Sequence, residues 1–256
     1  MTLAIPQVAP DPKSRPGSAV ADMFGAIAGT YDLLNHLLSL NVDRYWRRRT
    51  VNAMAPGRGD LYLDLCTGTG DLALTLLKRW QARVVGADFS GPMLGIADKK
   101  ARRGGVHLPL ARADALALPF PEDTFDGLMV AFGVRNFQDL DQGLREMARV
   151  LKPGGKLAIL EFSSPGRSFF GAFYTVYFRK VLPLVGRLVS GKSGPYSYLP
   201  ATVEDFPDAP SLARRLEAAG FQVGPQRPLT GGIATLHLGT RAKAPGMPLP
   251  LKGVAP

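Results

Sequence analysis

Residues 64–71 read Asp-Leu-Cys-Thr-Gly-Thr-Gly-Asp, and this stretch decides the fold. It follows a short apolar run, 61–65, and precedes a run with apolar residues at helical spacing, 71–81. Gly68 and Gly70 let a chain turn sharply between a strand and a helix, and they let a ligand come close to the backbone. Free N–H groups at the start of such a helix attract an anionic group. The stretch therefore predicts a ligand-binding turn after the first strand of an α/β domain.

Strands and helices alternate on the C-terminal side of this turn. Further strands are predicted over 83–88, 106–112, 125–132 and 156–162, with helices over 92–103 and 139–150. Such alternation is typical of a mostly parallel sheet with helices on both faces. A helix over 211–219 is followed by two strands, 222–229 and 233–240, which we expect to be antiparallel because no helix separates them. These patterns predict a seven-stranded α/β sheet with an antiparallel last strand, and a turn at 151–155.

The chain on either side of this region has a different character. Residues 22–55 carry apolar residues at helical spacing, so extra N-terminal helices are expected before the first strand. Residues 1–21 contain prolines at four positions and are expected to form a disordered tail, as are residues 242–256. The predicted organisation is one domain over 22–241, with a helical insertion at 167–200 after the fifth strand.

Composition bounds the partners and the compartment. The formal net charge of +10 indicates an anionic partner, which could be nucleic acid, an anionic membrane face or an acidic ligand. Cys66 is the single cysteine, which excludes an internal disulfide and favours a reducing, cytoplasmic compartment. The longest apolar stretch, 169–189, is interrupted by three basic residues, so no membrane-spanning segment is predicted.

The charge of the predicted pocket helps to choose its ligand. The spacing Gly68-x-Gly70-x-x-Ala73 also fits a relaxed dinucleotide-binding pattern. Carboxylates expected near the turn would repel a pyrophosphate and favour a cationic sulfonium and ammonium; they are Asp64, Asp71, Asp88 and Asp114. A carboxylate at position 88, after the second strand, can accept both ribose hydroxyls of a nucleoside. The alternative is that Asp64 and Asp71 only cap and brace the loop.

Longer stretches carry a resemblance to a known family. They are Tyr-Asp-Leu-Leu-Asn at 31–35, Asp-Phe-Ser at 88–90, Asp-Ala at 114–115, Phe-Gly-Val-Arg-Asn at 132–136, Leu-Glu-Phe-Ser at 160–163 and Leu-Thr-Gly-Gly-Ile at 229–233. Together with the glycine turn, they resemble class I S-adenosylmethionine-dependent methyltransferases, and more narrowly the family that C-methylates the ring of demethylmenaquinol or, in some members, a ubiquinol precursor. The similarity runs from about residue 23 to residue 241.

The resemblance implies a Rossmann-like fold, S-adenosylmethionine as methyl donor, and no metal. The cofactor contacts that it implies are Asp64, Gly68, Thr69, Gly70, Asp88, Phe89, Asp114, Ala115 and Ala131. Two positions depart from the family pattern. Ala131 stands where relatives often have a serine that contacts the cofactor, so one hydrogen bond would be missing. Asp114 stands where asparagine is common, and it should also accept from the adenine amine.

Methylation of a ring carbon requires the reduced quinol, and loss of a phenolic proton makes the neighbouring carbon nucleophilic. Arg135 is the predicted cation facing that phenolate, with Asn136 beside it. His237, His36 and Tyr31 are candidate bases, and a water molecule could also serve. For either histidine, a structural role is equally consistent with the sequence.

Residues 167–192 combine aromatic and aliphatic residues at helical spacing with flanking basic residues. Such a segment can lie in a membrane interface and hold a prenyl chain, or it can pack over the sheet or in a homodimer contact. We therefore expect a prenylated quinol substrate, no nucleic-acid partner, and peripheral contact with the inner face of the cytoplasmic membrane. The open alternatives are an RNA or small-molecule methyltransferase, suggested by the basic run at 46–49, a nicotinamide-dependent oxidoreductase, and a non-catalytic binding protein.

Overall fold

The computed structural model describes residues 17–39, 41–163 and 194–243, in which one mixed sheet is the central element. Its strands are β1 (Leu61–Leu65), β2 (Arg83–Asp88), β3 (Leu110–Arg112), β4 (Phe125–Ala131), β5 (Leu151–Phe162), β6 (Phe221–Val223), β7 (Arg227–Leu229) and β8 (Ala234–Arg241). They are ordered β3-β2-β1-β4-β5-β8-β6, with β7 also paired to β8. Strands β1 to β5 are parallel, and β8 runs antiparallel to β5. The predicted α/β class with an antiparallel last strand is confirmed.

Seven α-helices surround the sheet within the described residues. They are α1 (Gly17–Leu38), α2 (Val42–Met54), α3 (Asp71–Arg79), α4 (Gly91–Arg103), α5 (Leu140–Val150), α6 (Gly194–Asp205) and α7 (Ala209–Ala218). The first two are the expected N-terminal helices. No helix in the described part of the chain has the length and apolarity needed to cross a membrane.

Three predicted boundaries were wrong, each because of a proline or a glycine. The strand expected over 222–229 is divided into β6 and β7 around Pro225, which has no N–H to donate to a ladder, so the sheet has eight strands rather than seven. The third strand begins only after Pro109. The turn expected at 151–155 is a bulge inside β5, with Gly154 at a φ of +80°.

The tail boundaries are only partly described. Helix α1 begins at Gly17, five residues before the expected start, because Val20 is buried and helps to line the pocket described below. Of the expected insertion, 167–193 lies outside the described residues, and the following residues form α6. The expected C-terminal tail lies almost wholly outside them too, and β8 ends at Arg241, as predicted.

Side chains alternate between two hydrophobic cores, one on each face of the sheet. One core contains side chains of α5 and α7, including Met147 and Leu212, and the other contains side chains of α2 and α3, including Trp46 and Leu76. Helix α1 approaches the first turn of α4 closely at Gly25, where an added Cβ would lie 3.3 Å from Pro92. This approach places α1 across the carboxyl ends of β1 and β2.

Candidate active site

A pocket opens at the carboxyl ends of β1, β2 and β4, beneath α1, where ligands bind in sheets of this kind. It has about 920 Å³ of empty space, including its mouth. Its lining contains eight of the residues predicted for cofactor binding or catalysis: Tyr31, Gly68, Asp88, Phe89, Asp114, Ala115, Ala131 and Asn136. The predicted glycine turn therefore does border a cavity of the size expected for a small-molecule ligand.

The turn and the second strand are joined by one carboxylate. Gly68 has a φ of +56°, and no atom lies within 4 Å of where its Cβ would be, so a ligand can approach its backbone. Its N–H donates to Oδ2 of Asp88 at 2.8 Å, and the N–H of Ser90 donates to Oδ1 at 2.8 Å. Burial raises the pKa of Asp88, although these N–H groups and that of Phe89 act in the opposite direction. Asp88 is thus held rigidly at the pocket wall, with lone pairs left for hydroxyl donors.

Three predicted cofactor contacts do not line the pocket; they shape the turn. Asp64 is 1% exposed and accepts from Thr67 Oγ1 at 2.6 Å and from the N–H of Ala73 at 2.9 Å. Burial raises its pKa to about 7. Gly70 packs against α4, and Thr69 Oγ1 donates to Asp32 of α1 at 2.5 Å. For Asp64 the structure favours the alternative role, a brace for the loop.

The expected convergence of four carboxylates on the pocket was wrong. Asp71 projects from the first turn of α3 on the side away from the pocket, where it pairs with Lys100 and lies 3.9 Å from Arg47. Only Asp88 and Asp114 line the pocket. Asp114 accepts the N–H of Leu116 at 2.9 Å, which fixes its carboxylate at the pocket edge.

Two buried polar atoms in the pocket wall have no hydrogen-bond partner among the described residues: Ser90 Oγ and Asn136 Oδ1. An unsatisfied buried polar atom costs about 1–3 kcal/mol, so both atoms favour a ligand that carries hydrogen-bonding groups. S-adenosylmethionine, with an ammonium, a carboxylate and two ribose hydroxyls, fits this set. Ala131 adds no hydroxyl to the wall, as expected.

Arg135 lies behind the pocket wall rather than in it, because a buried glutamate holds its guanidinium. Its Nη1 donates to Glu161 Oε1 at 2.7 Å and to the Phe132 carbonyl at 2.6 Å, and the guanidinium lies 5.5 Å from the ring centre of Phe162. Arg135 and Glu161 are 5% and 0% exposed. The structure therefore does not bear out Arg135 as an unpaired cation facing the substrate; it ties the 132–136 segment to the end of β5.

The three candidate bases differ in position and protonation. Tyr31 lines the pocket, and burial raises the pKa of its phenol, so it is a neutral donor at pH 7. His36 lies outside the pocket, with Nδ1 2.9 Å from Asp43. His237 is buried in β8 beside Ile159 and does not line the pocket, and burial lowers its pKa to about 4. None of the three combines a place in the pocket with the protonation behaviour of a base.

Metal ligation finds no support within residues 17–39, 41–163 and 194–243. No group of three or more His, Cys, Asp or Glu side chains there is arranged to hold a metal ion. Metal independence stays a prediction.

We expect His237 to make the protein less stable in mild acid. Because its pKa falls from 6.5 to about 4 on folding, the folded state binds fewer protons between these values. Stability from this group is present above pH 6.5 and is lost as the pH falls, by about 2 kcal/mol between pH 7.5 and pH 5. Urea unfolding at both pH values should show a smaller loss in His237→Gln. The exposed His107→Gln is the control, and equal losses in the two variants would contradict this assignment.

Gly133 leaves room for the side chain of Cys66. A Cβ at position 133 would lie 2.5 Å from Cys66 Cβ and 2.8 Å from its Sγ. Gly133→Ala should therefore lower the free energy of unfolding by about 1–3 kcal/mol. Adding Cys66→Gly removes both clashing atoms at a residue whose φ is already +54°, so the double variant should recover stability in urea unfolding.

Gly95→Ala is the control for this pair, since no atom lies within 4 Å of its would-be Cβ. A double variant no more stable than Gly133→Ala would show that Cys66 is not the obstacle.

Sequence reasoning missed three contributors to the site. Val20 and Phe24 of α1 line the pocket, but nothing in an isolated helical pattern shows what it covers. Lys100 Nζ lies 2.9 Å from Asp32 and 3.3 Å from Thr69, which fastens α1 to the glycine turn. Glu161 could have been suspected, because a carboxylate in an apolar strand needs a buried partner.

Comparison with known proteins agrees with this geometry. The sequence matches the ubiE/COQ5 methyltransferase family over residues 12–241. It is 51% identical over 220 residues to a demethylmenaquinone methyltransferase of Thermus thermophilus, covering 86% of this chain and 100% of the relative. It is 46% identical over 230 residues to one of Deinococcus radiodurans, covering 90% and 95%.

Solved structures show the same fold at low sequence identity. The [4+2]-cyclase SpnF superposes with a TM-score of 0.64 at 19% identity, covering 93% of this chain and 98% of that one. A SAM-dependent methyltransferase from Aquifex aeolicus superposes with a TM-score of 0.57 at 20% identity, covering 77% and 89%. With the pocket in place at the strand ends and the sequence match spanning nearly all of the described residues, the chain belongs to the ubiE/COQ5 methyltransferase family.

Proposed function

We propose that this protein transfers the methyl group of S-adenosylmethionine to a ring carbon of demethylmenaquinol, giving menaquinol. The observation that carries the proposal is the 51% identity to a demethylmenaquinone methyltransferase over that relative's whole length. The pocket supports it, because Asp88, Asp114 and two unsatisfied polar atoms are suited to a nucleoside with an amino-acid tail. A nicotinamide-dependent oxidoreductase is disfavoured by the family.

The residues of the pocket have separate tasks in this proposal. Asp88 accepts the two ribose hydroxyls, and Asp114 accepts the adenine amine. Gly68 and Ala115 leave room for close approach, and Asn136 Oδ1 accepts a donor from the ammonium or from the quinol. S-adenosylmethionine supplies an electrophilic methyl group on its sulfonium. The protein acts mainly by positioning the two reactants and by excluding water.

The acceptor ring must be reduced, since a quinol that loses a phenolic proton becomes nucleophilic at the neighbouring carbon. Tyr31 is protonated at neutral pH and therefore donates a hydrogen bond to the developing phenolate. The phenolic proton passes to water, because no histidine lines the pocket within the described residues. Arg135, neutralised by Glu161, positions the 132–136 wall rather than facing the ring.

Two partner assignments belong to the same proposal. The prenyl chain of the quinol remains in the bilayer while the ring enters the pocket, so the protein works as a peripheral membrane protein. The basic and aromatic segment 167–192, proposed for this contact or for a homodimer contact, lies outside the described residues.

The test is an assay with purified protein, labelled S-adenosylmethionine and demethylmenaquinone in detergent, with the quinone chemically reduced or oxidised in parallel. Label entering the lipid only from the reduced ring is the expected result. Transfer only to the benzoquinol precursor of ubiquinone would overturn the choice of ring; a relative from Geobacter sulfurreducens, 42% identical, is named for both pathways. Transfer to neither, with normal donor binding, would overturn quinol methylation.

A further inference from the structure

A second recess, distinct from the pocket, lies between α2, α3 and α4. It has about 1880 Å³ of empty space, including its open side. Basic side chains dominate its lining: Arg44, Arg48, Lys78, Arg79 and Arg103 are all exposed there. We call these five residues and the recess between them the basic groove.

The carboxylates that border the basic groove are already occupied. Asp32 and Asp71 both bind Lys100, and Asp71 also lies 3.9 Å from Arg47. Arg47 in turn pairs with the buried Asp43. The acidic side chains therefore compensate the cations at the back of the recess and leave the exposed ones uncompensated.

None of the five groove cations has a carboxylate partner in the described ranges. The side chains of Arg44, Arg48, Lys78 and Arg103 make no hydrogen bond or ion pair there, and Arg79 Nε contacts only the amide oxygen of Asn52, at 3.3 Å. Five positive charges around one recess create a strong local attraction for anions. The basic groove is therefore suited to a polyanionic surface.

Apolar side chains beside the groove distinguish the kind of surface. Leu33 and Tyr45 are 60% and 43% exposed, and they are the large hydrophobic residues that the described chain leaves exposed. Leu33 follows Asp32 in α1, and Tyr45 lies three residues before Arg48, on the same face of α2. Cations interspersed with a leucine and a tyrosine are typical of surfaces that rest in the headgroup region of a bilayer, whereas nucleic-acid grooves pair cations with stacking aromatics.

We propose that the basic groove, with Leu33 and Tyr45, docks onto a bilayer that contains anionic phospholipids, whose phosphates enter the groove. The proposal rests on the proposed function, since a prenylated quinol resides in such a bilayer. Helix α1 connects the two sites: Tyr31 lines the pocket, and Asp32 and His36 line the groove. Docking through the groove would hold the pocket near the membrane surface, independently of segment 167–192.

The test measures binding of the full chain to vesicles by sedimentation, without quinol. Three vesicle types are compared: phosphatidylcholine alone, phosphatidylcholine with phosphatidylglycerol, and the mixed vesicles with excess inorganic phosphate. The groove variant is Arg44→Gln, Arg48→Gln, Lys78→Gln. The matched control is Arg145→Gln, Arg214→Gln, Arg227→Gln, which removes the same charge from exposed positions on α5, α7 and β7.

Each cation near an anionic bilayer contributes about a fivefold increase in binding, so the groove variant should bind the mixed vesicles about 100-fold more weakly, and the control only a few-fold. Excess phosphate should compete weakly, because the bilayer presents many headgroups at once. Equal binding by groove and control variants would overturn the proposal. So would complete competition by phosphate, which indicates a small-anion site, or binding of duplex RNA in place of vesicles.

A second measurement separates this outcome from failure of the proposed function. Methyl transfer to a detergent-dispersed quinol should be unchanged in the groove variant, since none of its three residues lines the pocket. Vesicle binding can fail while transfer persists, which overturns only the docking surface. Leu33→Ser with Tyr45→Ser should weaken vesicle binding at high salt, where the contribution of the charges is screened.

Discussion

Replacing Glu161 by alanine is expected to lower the free energy of unfolding by about 3–5 kcal/mol, because it leaves a buried guanidinium without its counter-charge. Glu161 is 0% exposed and accepts from Arg135 Nη1 at 2.7 Å and from the N–H of Phe162 at 2.9 Å. After the substitution, Arg135 keeps only the Phe132 carbonyl and the face of the Phe162 ring. These contacts do not neutralise a charge removed from water.

Two variants make this prediction specific to the buried pair. Arg135→Met with Glu161→Leu removes both charges at similar volume, so urea unfolding should show most of the lost stability restored, while methyl transfer stays low if the pair positions Asn136. Asp141→Ala breaks an exposed pair with Arg215, at 49% and 44% side-chain exposure, and should cost about 1 kcal/mol or less. If Glu161→Ala cost no more than Asp141→Ala, burial of the pair would not govern its energetics.

The Arg135–Glu161 pair also shows where sequence reasoning reaches its limit. Strands, helices and the glycine turn were predictable because each depends on a local pattern: apolar periodicity within ten or fifteen residues, or a glycine where the backbone turns. The partner of a charged side chain is set by contacts between segments distant in sequence. Arg135 and Glu161 are 26 residues apart and meet only because β4 and β5 are neighbours in the sheet.

Asp71 illustrates the same limit within a single helix. Its position directly after the glycine turn suggested a carboxylate in the pocket. The first turn of α3 instead directs it outward, toward Lys100, 29 residues further along the chain. Sequence proximity to a ligand-binding loop therefore identified which segment forms the pocket, but it could not identify which side chains of that segment enter it.

Asp88→Ala should weaken binding of S-adenosylmethionine, or of S-adenosylhomocysteine, by about 100-fold. The carboxylate is the pocket acceptor placed for two ribose hydroxyls, and a hydrogen bond to a charged group contributes about 1.5 kcal/mol or more. The substitution also releases the N–H groups of Gly68 and Ser90, both now held at 2.8 Å. The glycine turn therefore loses its connection to β2 together with a ligand contact. Isothermal titration calorimetry measures the effect directly.

Graded substitutions separate the loss of charge from the loss of shape. Asp88→Asn keeps one acceptor oxygen and should weaken binding about tenfold, as expected when one of two hydroxyl contacts is lost. Asp114→Asn should change affinity by less than about threefold, because an amide oxygen accepts from the adenine amine as a carboxylate does. A thermal melt without ligand monitors folding in each variant. Since only the ribose hydroxyls need two acceptors, equal losses in Asp88→Asn and Asp114→Asn would show that the nucleoside lies in a different orientation from the one that Asp88 implies.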